Sequence, residues 1–191
     1  MTETLIFGGH GKIALLAAPL LTDAGHHVTS VIRKDEQVAD VEATGATALV
    51  LDMESASHDQ LVDALRGKDA VVFSAGAGGG NPARTRAVDY EAAVATMRAA
   101  EAAGVARYVM VSYLGASLDH GLDVDDDFYP YAQAKAEADE VLRGTSLDWT
   151  ILAPSLLTEH EGTGRVTVNP DLDTDDAPAS ETSRANVAAA I

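Results

Sequence analysis

Residues 4–14, Thr4-Leu5-Ile6-Phe7-Gly8-Gly9-His10-Gly11-Lys12-Ile13-Ala14, hold a short apolar run that breaks into glycines and then takes up a helical pattern. A nucleotide's phosphates approach a backbone only where no Cβ intrudes, and the positive end of a following helix favours their charge. The spacing Gly8-x-x-Gly11-x-x-Ala14 puts alanine where the dinucleotide fingerprint has its third glycine. Alanine is still small enough for a helix to lie close on its strand. This opening segment is therefore a candidate dinucleotide site.

Outward from that turn the chain alternates between short β-branched or apolar runs and helical patterns. Leu5–Phe7, His27–Ile32, Thr47–Leu51, Ala70–Ser74, Arg107–Ser112 and Trp149–Leu152 read as strands. Helices are expected over Lys12–Ala24, where Pro19 should bend the run, and over Glu36–Thr44. Further helices are expected from a Ser57 cap through Leu65, over Pro82–Ala103 and over Tyr129–Arg143. Parallel strands need crossover connections, so this alternation predicts an α/β fold. It is a Rossmann-type, doubly wound parallel sheet in three α/β/α layers, with ligands at the carboxyl ends of the strands near the switch point. After Leu157 the pattern loosens into substrate-side loops over about 155–182, with a short strand at Arg165–Val168. Val187–Ile191 reads as a helix without a terminator, so the chain is expected to continue.

A length of 191 residues fits a single domain spanning 1–191. No apolar run is long enough to cross a bilayer and no basic, apolar leader opens the chain, which makes the cytoplasm the expected location. The absence of cysteine excludes disulfides, thiolate metal sites and a cysteine nucleophile. A net charge of -17 argues against a nucleic-acid surface, which needs clustered Lys and Arg. The acidic runs Asp123–Asp127 and Asp171–Asp176 read as solvated loops, and no metal is assigned. No paired histidines at zinc spacing and no Gly-x-Ser-x-Gly elbow occur.

Where a carboxylate at the end of the second strand would bind a ribose 2′-hydroxyl, the chain has Arg33 and Lys34, which favours NADP over NAD. Asp52, followed by Met53, either accepts from an adenine amino group or caps its own turn. Ser74-Ala75-Gly76 ends the fourth strand with residues small enough for a ribose to lie on the backbone, and Gly78–Gly80 adds freedom. Tyr131 and Lys135, four apart, share one helix face. An ammonium there would lower the phenol's pKa and make Tyr131 a usable acid/base, with Ser112 hydrogen-bonding a substrate oxygen.

On these residues the chain resembles the short-chain dehydrogenase/reductase superfamily, and within it the atypical branch of small NAD(P)-binding proteins related to the epimerase/dehydratase group. Gly8–Ala14, Arg33, Asp52, Ser74–Gly76, Asp89, Val111-Ser112, Tyr131–Lys135 and Asp148–Pro154 carry the resemblance, which resumes at Ser183–Ala188. It implies that Gly8, Gly11 and Ile13, with Gly9, His10 and Lys12 of the same turn, border a pyrophosphate. It implies Arg33, beside Lys34, for the 2′-phosphate, Asp52 and Met53 for adenine, and Ser74, Ala75 and Gly76 for the adenosine ribose. Lys135 would contact the nicotinamide ribose, Pro154, Ser155 and Leu156 the nicotinamide, and Ser112, Tyr131 and Lys135 would be catalytic.

The function expected is NADP-dependent reduction of a small carbonyl, quinone or flavin-like acceptor by a monomer or homodimer, with Tyr131 as proton donor and no nucleic-acid or membrane partner. The alternatives are an NADP(H)-binding redox sensor that regulates a partner, and a sugar-nucleotide epimerase or dehydratase.

Overall fold

The computed structural model describes residues 1–78, 80–166 and 181–191. Strands β1 (Glu3–Phe7), β2 (His27–Ile32), β3 (Thr47–Val50), β4 (Ala70–Phe73), β5 (Arg107–Val111) and β6 (Asp148–Leu152) form one parallel sheet in the order β3-β2-β1-β4-β5-β6. Winding reverses between β1 and β4, which opens a crevice at their carboxyl ends.

The pleat sends alternate residues to opposite faces. Leu5, Phe7, Val31, Val71, Phe73, Tyr108 and Met110 face helices α3 (His58–Leu65), α5 (Ala93–Ala103) and α6 (Tyr129–Arg143) through Leu61, Leu65, Met97 and Leu142. Ile6, Val28, Ile32, Val72 and Val109 face α1 (Lys12–Asp23) and α2 (Val38–Glu42) through Ala14, Ala18 and Val41. The closing helix α7 (Arg184–Ala190) sets Val187 and Ala188 against Ile13 and Ala17 of α1. Tyr108 is fully buried, and its phenol meets the Thr96 hydroxyl at 2.8 Å, so no polar atom is stranded there.

Several elements differ from the reading of the sequence. α1 runs through Pro19, and the Thr22 hydroxyl donates to the Pro19 carbonyl at 3.1 Å and to that of Thr44 at 3.2 Å. The helix expected over Glu36–Thr44 divides into a 3₁₀ turn, Asp35–Gln37, and α2, because the Gln37 side chain turns back to accept from the Arg33 and Lys34 amides. The helix expected over Pro82–Ala103 contains α4 (Pro82–Thr85) and α5 separated by a π-helical segment, Arg86–Ala92. Within the expected substrate loops, β7 (Leu156–Thr158) pairs in parallel with β8 (Glu181–Ser183). The strand expected at Arg165–Val168, the acidic run Asp171–Asp176 and Gly79 fall wholly or partly outside the described residues; Arg165 and Val166 carry no strand. Among the described residues no helix is long and apolar enough to cross a membrane.

Gly9 pins the β1–α1 turn to the sheet. Its N–H donates to the Val31 carbonyl at 2.8 Å, and a Cβ there would lie 2.5 Å from the Cβ of buried Ser30. Gly9→Ala should therefore destabilise the fold by about 1–3 kcal/mol through overpacking, as measured by chemical denaturation.

Candidate functional site

The crevice is floored by a turn that only glycines can make. Gly8 has φ +79°, and a Cβ on it would lie 2.7 Å from the Ala75 N and Cα of the neighbouring strand end. The Gly11 N–H closes the turn on the Gly8 carbonyl at 2.8 Å, and Gly11, in extended conformation, precedes the first residue of α1. That helix starts with no side-chain cap and no carboxylate in its first turn. Its leading N–H groups and the positive end of its dipole are left for an anion, on a floor without side chains. A diphosphate fits this cradle.

Two adjoining hollows extend from the cradle and share Gly11, Ser74 and Gly76 in their walls. The smaller, about 210 Å³, runs under the carboxyl ends of β1, β2 and β3 between Gly8, His10, Arg33, Asp52, Met53, Ala75 and Gly76. The larger, about 950 Å³, is lined by Lys12, Ile13, Pro82, Thr85, Asp125–Asp127, Phe128, Tyr131 and Arg184. At the small end, Asp52 caps its own turn by accepting the Glu54 amide at 3.1 Å. Glu54 in turn accepts from Arg33 at 3.0 Å. At the large end, Glu159 joins Lys12, at 2.6 Å, to Arg184, at 3.0 Å.

Tyr131 stands at the start of α6 in an aromatic group, with ring centroids 5.5 Å from Tyr113 and 5.2 Å from Phe128. Burial, reinforced by the Asp89 and Asp139 carboxylates and by Tyr113, pushes its phenol well above the usual tyrosine range. The expected lowering by Lys135 does not occur. Lys135 is buried, and its ammonium is turned away from solvent to donate to the Val111 carbonyl at 2.7 Å. Burial lowers its pKa, while Asp89 and Asp139 oppose that shift. Ser112 is likewise buried and donates its hydroxyl to Asp139 at 2.6 Å. Asp89, in the π-helical segment, accepts the Ala77 amide at 3.0 Å. Burial raises the pKa of both aspartates, against the pull of Lys135. Beneath the cleft, then, Asp89, Lys135 and Asp139 form a buried charged seam, and their hydrogen bonds to Ala77, Val111 and Ser112 tie β5, α6 and the loop after β4 together.

The family model for NAD(P)H-binding proteins matches residues 8–191. The chain belongs to this NAD(P)H-binding family. Among the relatives of this NAD(P)H-binding protein, a UPF0659 protein of Schizosaccharomyces pombe is 37% identical over 185 residues, covering 87% of this chain and 75% of the relative. An uncharacterised sugar epimerase of Bacillus subtilis is 34% identical, covering 90% and 79%. A solved structure from Bacillus halodurans, named as an NAD-dependent epimerase/dehydratase, superposes with a TM-score of 0.88 at 31% identity, covering 99% and 85%.

In this NAD(P)H-binding protein the cleft gathers Gly8, His10, Gly11, Lys12, Ile13, Arg33, Asp52, Met53, Ser74, Ala75, Gly76 and Tyr131. It does not gather the rest of the expected set. Gly9 lies behind the turn against Ser30. The exposed Lys34 meets Gln37 through its backbone, its amide donating to the Gln37 side chain and its carbonyl accepting the Gln37 amide, both at 3.1 Å. Pro154 is buried, Ser155 bonds Thr182 at 2.8 Å, and Leu156 is an exposed residue of β7. Ser112 and Lys135, expected as catalytic residues, lie buried beneath the cleft, where the Ser112 hydroxyl donates to Asp139 and the Lys135 ammonium to the Val111 carbonyl. Reading the sequence missed Glu54, Arg84 and Arg184 in the walls and Asp139 beneath them. The Asn81-Pro82 start of α4 was a legible signal: Asn81 caps the Arg84 amide at 3.1 Å and so fixes the helix that carries Arg84 to the cleft.

Lys135→Met should destabilise the fold by about 3 kcal/mol at pH 7, since it strands two buried carboxylates. Both aspartates have pKa values raised in the folded state, so they favour folding as they take up protons. The deficit should shrink as the pH falls from 7 through the carboxylate range, as followed by urea denaturation at each pH.

Proposed function

We propose that the chain is a cytoplasmic, single-domain NADP-dependent oxidoreductase of a small carbonyl, quinone or flavin-like acceptor, with Tyr131 as proton donor. One observation carries this reading. A proton-bearing phenol lines one end of a trough whose other end is walled by the Arg33 guanidinium, with a helix N-terminus on a glycine floor between them. The bound nicotinamide supplies the hydride.

The chain's own residues supply the rest. Gly8, Gly11 and Ile13 give a diphosphate its floor and backbone donors, Ala75 and Gly76 leave room for a ribose, and Arg33 meets a 2′-phosphate. A guanidinium on a phosphate forms strong charge-assisted hydrogen bonds. NADPH should therefore bind at least about tenfold more tightly than NADH, or about 1.4 kcal/mol. Tyr131 keeps its proton at neutral pH because burial and nearby carboxylates disfavour the phenolate. A developing alkoxide is a stronger base than a phenolate, so the phenol still gives up its proton there. Ser112 and Lys135 act as positioning residues, holding β5 against α6 and so fixing Tyr131 over the trough.

The names of the Bacillus relatives favour a second reading, sugar epimerisation on a retained NAD. Coenzyme consumption separates the two, since a reductase uses NADPH stoichiometrically and an epimerase leaves it unchanged in net amount. For the reductase, Tyr131→Phe should lower NADPH turnover with carbonyl acceptors at least tenfold while the coenzyme Kd stays within twofold. Unchanged turnover would remove Tyr131 from the reaction. In the unsubstituted protein the raised phenol pKa means that the donor form persists as pH rises. The turnover rate should thus show no decline from loss of the tyrosine proton up to about pH 10.

A further inference from the structure

Glu54 stands on the turn after β3, in the wall of the smaller hollow. Asp52 stiffens that turn: its side chain accepts the Glu54 amide at 3.1 Å, and its carbonyl accepts the Ala56 amide at 2.9 Å. The Glu54 carboxylate is thereby held between two guanidinium groups from opposite sides of the crevice. Arg33, at the end of β2, donates to its Oε1 at 3.0 Å. Arg84, from α4 on the β4 side, brings Nη2 to 3.6 Å of the same oxygen and anchors Nη1 on the Ala77 carbonyl at 2.9 Å. The Glu54 side chain is only 24% exposed. The three residues are distant in sequence, so the bridge spans the crevice and is not a pairing within one helix.

Two arginines converging on one anionic oxygen match a phosphate monoester in sign and in donor geometry. With Glu54 in place the group carries one net positive charge; with that carboxylate displaced it carries two, equal and opposite to a dianionic phosphate. We infer that Glu54 is the built-in occupant of a phosphate-monoester subsite formed by Arg33 and Arg84, and that it sets the coenzyme preference by competing with the 2′-phosphate. A ribose bearing a free 2′-hydroxyl brings no charge to exchange and leaves the bridge intact. This rests on the reading that a pyridine dinucleotide binds in the cleft, and it adds Arg84 as a second phosphate ligand and Glu54 as a specificity-determining residue.

The test is calorimetric titration of NADPH and NADH into the full chain, its Glu54→Gln variant and its Arg84→Gln variant. All titrations use one ionic strength, because these partly exposed charges are screened by salt. In Glu54→Gln, NADPH should bind at least fivefold more tightly while NADH stays within twofold. In Arg84→Gln, the NADH-to-NADPH ratio of Kd values should fall at least fivefold. The ratio is the readout because Arg84 also steadies the Ala77 loop, on which both coenzymes depend. An unchanged or reduced ratio in Glu54→Gln overturns the inference, as does weakened NADH binding there, which would mark Glu54 as a ligand of the ribose hydroxyl. If the unsubstituted chain binds neither coenzyme, the reading of the cleft itself is overturned.

Discussion

The approach of Gly8 to Ala75 sets the geometry from which the cleft follows. At the switch point two neighbouring strands send their chains to opposite faces of the sheet, which leaves a crevice above their carboxyl ends. A hypothetical Cβ on Gly8 falls 2.7 Å from the Ala75 backbone, so the two strand ends can lie this close only because Gly8 lacks a side chain and tolerates positive φ. On the far side, Gly9 presses equally close to Ser30. The turn is thus wedged between β2 and β4, and α1 leaves it in a direction fixed by backbone contact. That rigidity lets a row of uncapped N–H groups serve as a preformed anion site: no loop has to be ordered when a ligand arrives.

Below this cradle the Asp89–Lys135–Asp139 seam serves another purpose. Buried charge is costly even when paired, and an apolar substitute of similar shape is often at least as stable. The seam's value is geometric, since Asp89 holds the Ala77 loop while Lys135 and Asp139, both on α6, hold the end of β5 at Val111 and Ser112. One oxygen of Asp139 has no partner among the described residues, although the residue is buried. An unmet acceptor there raises the cost of ionisation and adds to the upward shift of the carboxyl. A π-helical segment carries Asp89 inward, which accounts for the departure from regular helix at Arg86–Ala92.

Much of the fold was legible because its signals are local. His27–Ile32 and Tyr129–Arg143 have the predicted bounds, and Ser57 caps α3 as expected, its side chain accepting the Gln60 amide. β7 and β8 were not legible, since three-residue strands have too short an alternation to read and their partners lie far apart in sequence. The residues of the glycine turn and the strand ends line the cleft because backbone position alone brings them to the switch point. The inward turn of Lys135 was not legible because spacing along a helix fixes only the face, whereas the core decides where a long side chain ends. Lys135 shares a helix face with Tyr131, yet its ammonium reaches inward to the Val111 carbonyl. Glu54, Glu159 and Arg184 were missed because their partnerships depend on approach across the cleft, which no local pattern encodes.

Those partnerships explain how a chain of net charge -17 can host an anion. A broad positive field is excluded by composition, so selectivity has to be local. Along the cleft the cations come in bridged pairs, Arg33 and Arg84 on Glu54, and Lys12 and Arg184 on Glu159. Each glutamate keeps its two cations converged, and for Glu159 the pairing with Lys12 holds the carboxyl below its usual range. On the inference drawn for Glu54, an entering phosphate would take over hydrogen bonds already aimed at an anion, and the displaced carboxylate would return to water. Binding would then be an exchange of one anion for another at a preset geometry. Discrimination follows from which ligand atom carries charge at the position of the carboxylate, and not from the charge of the protein as a whole.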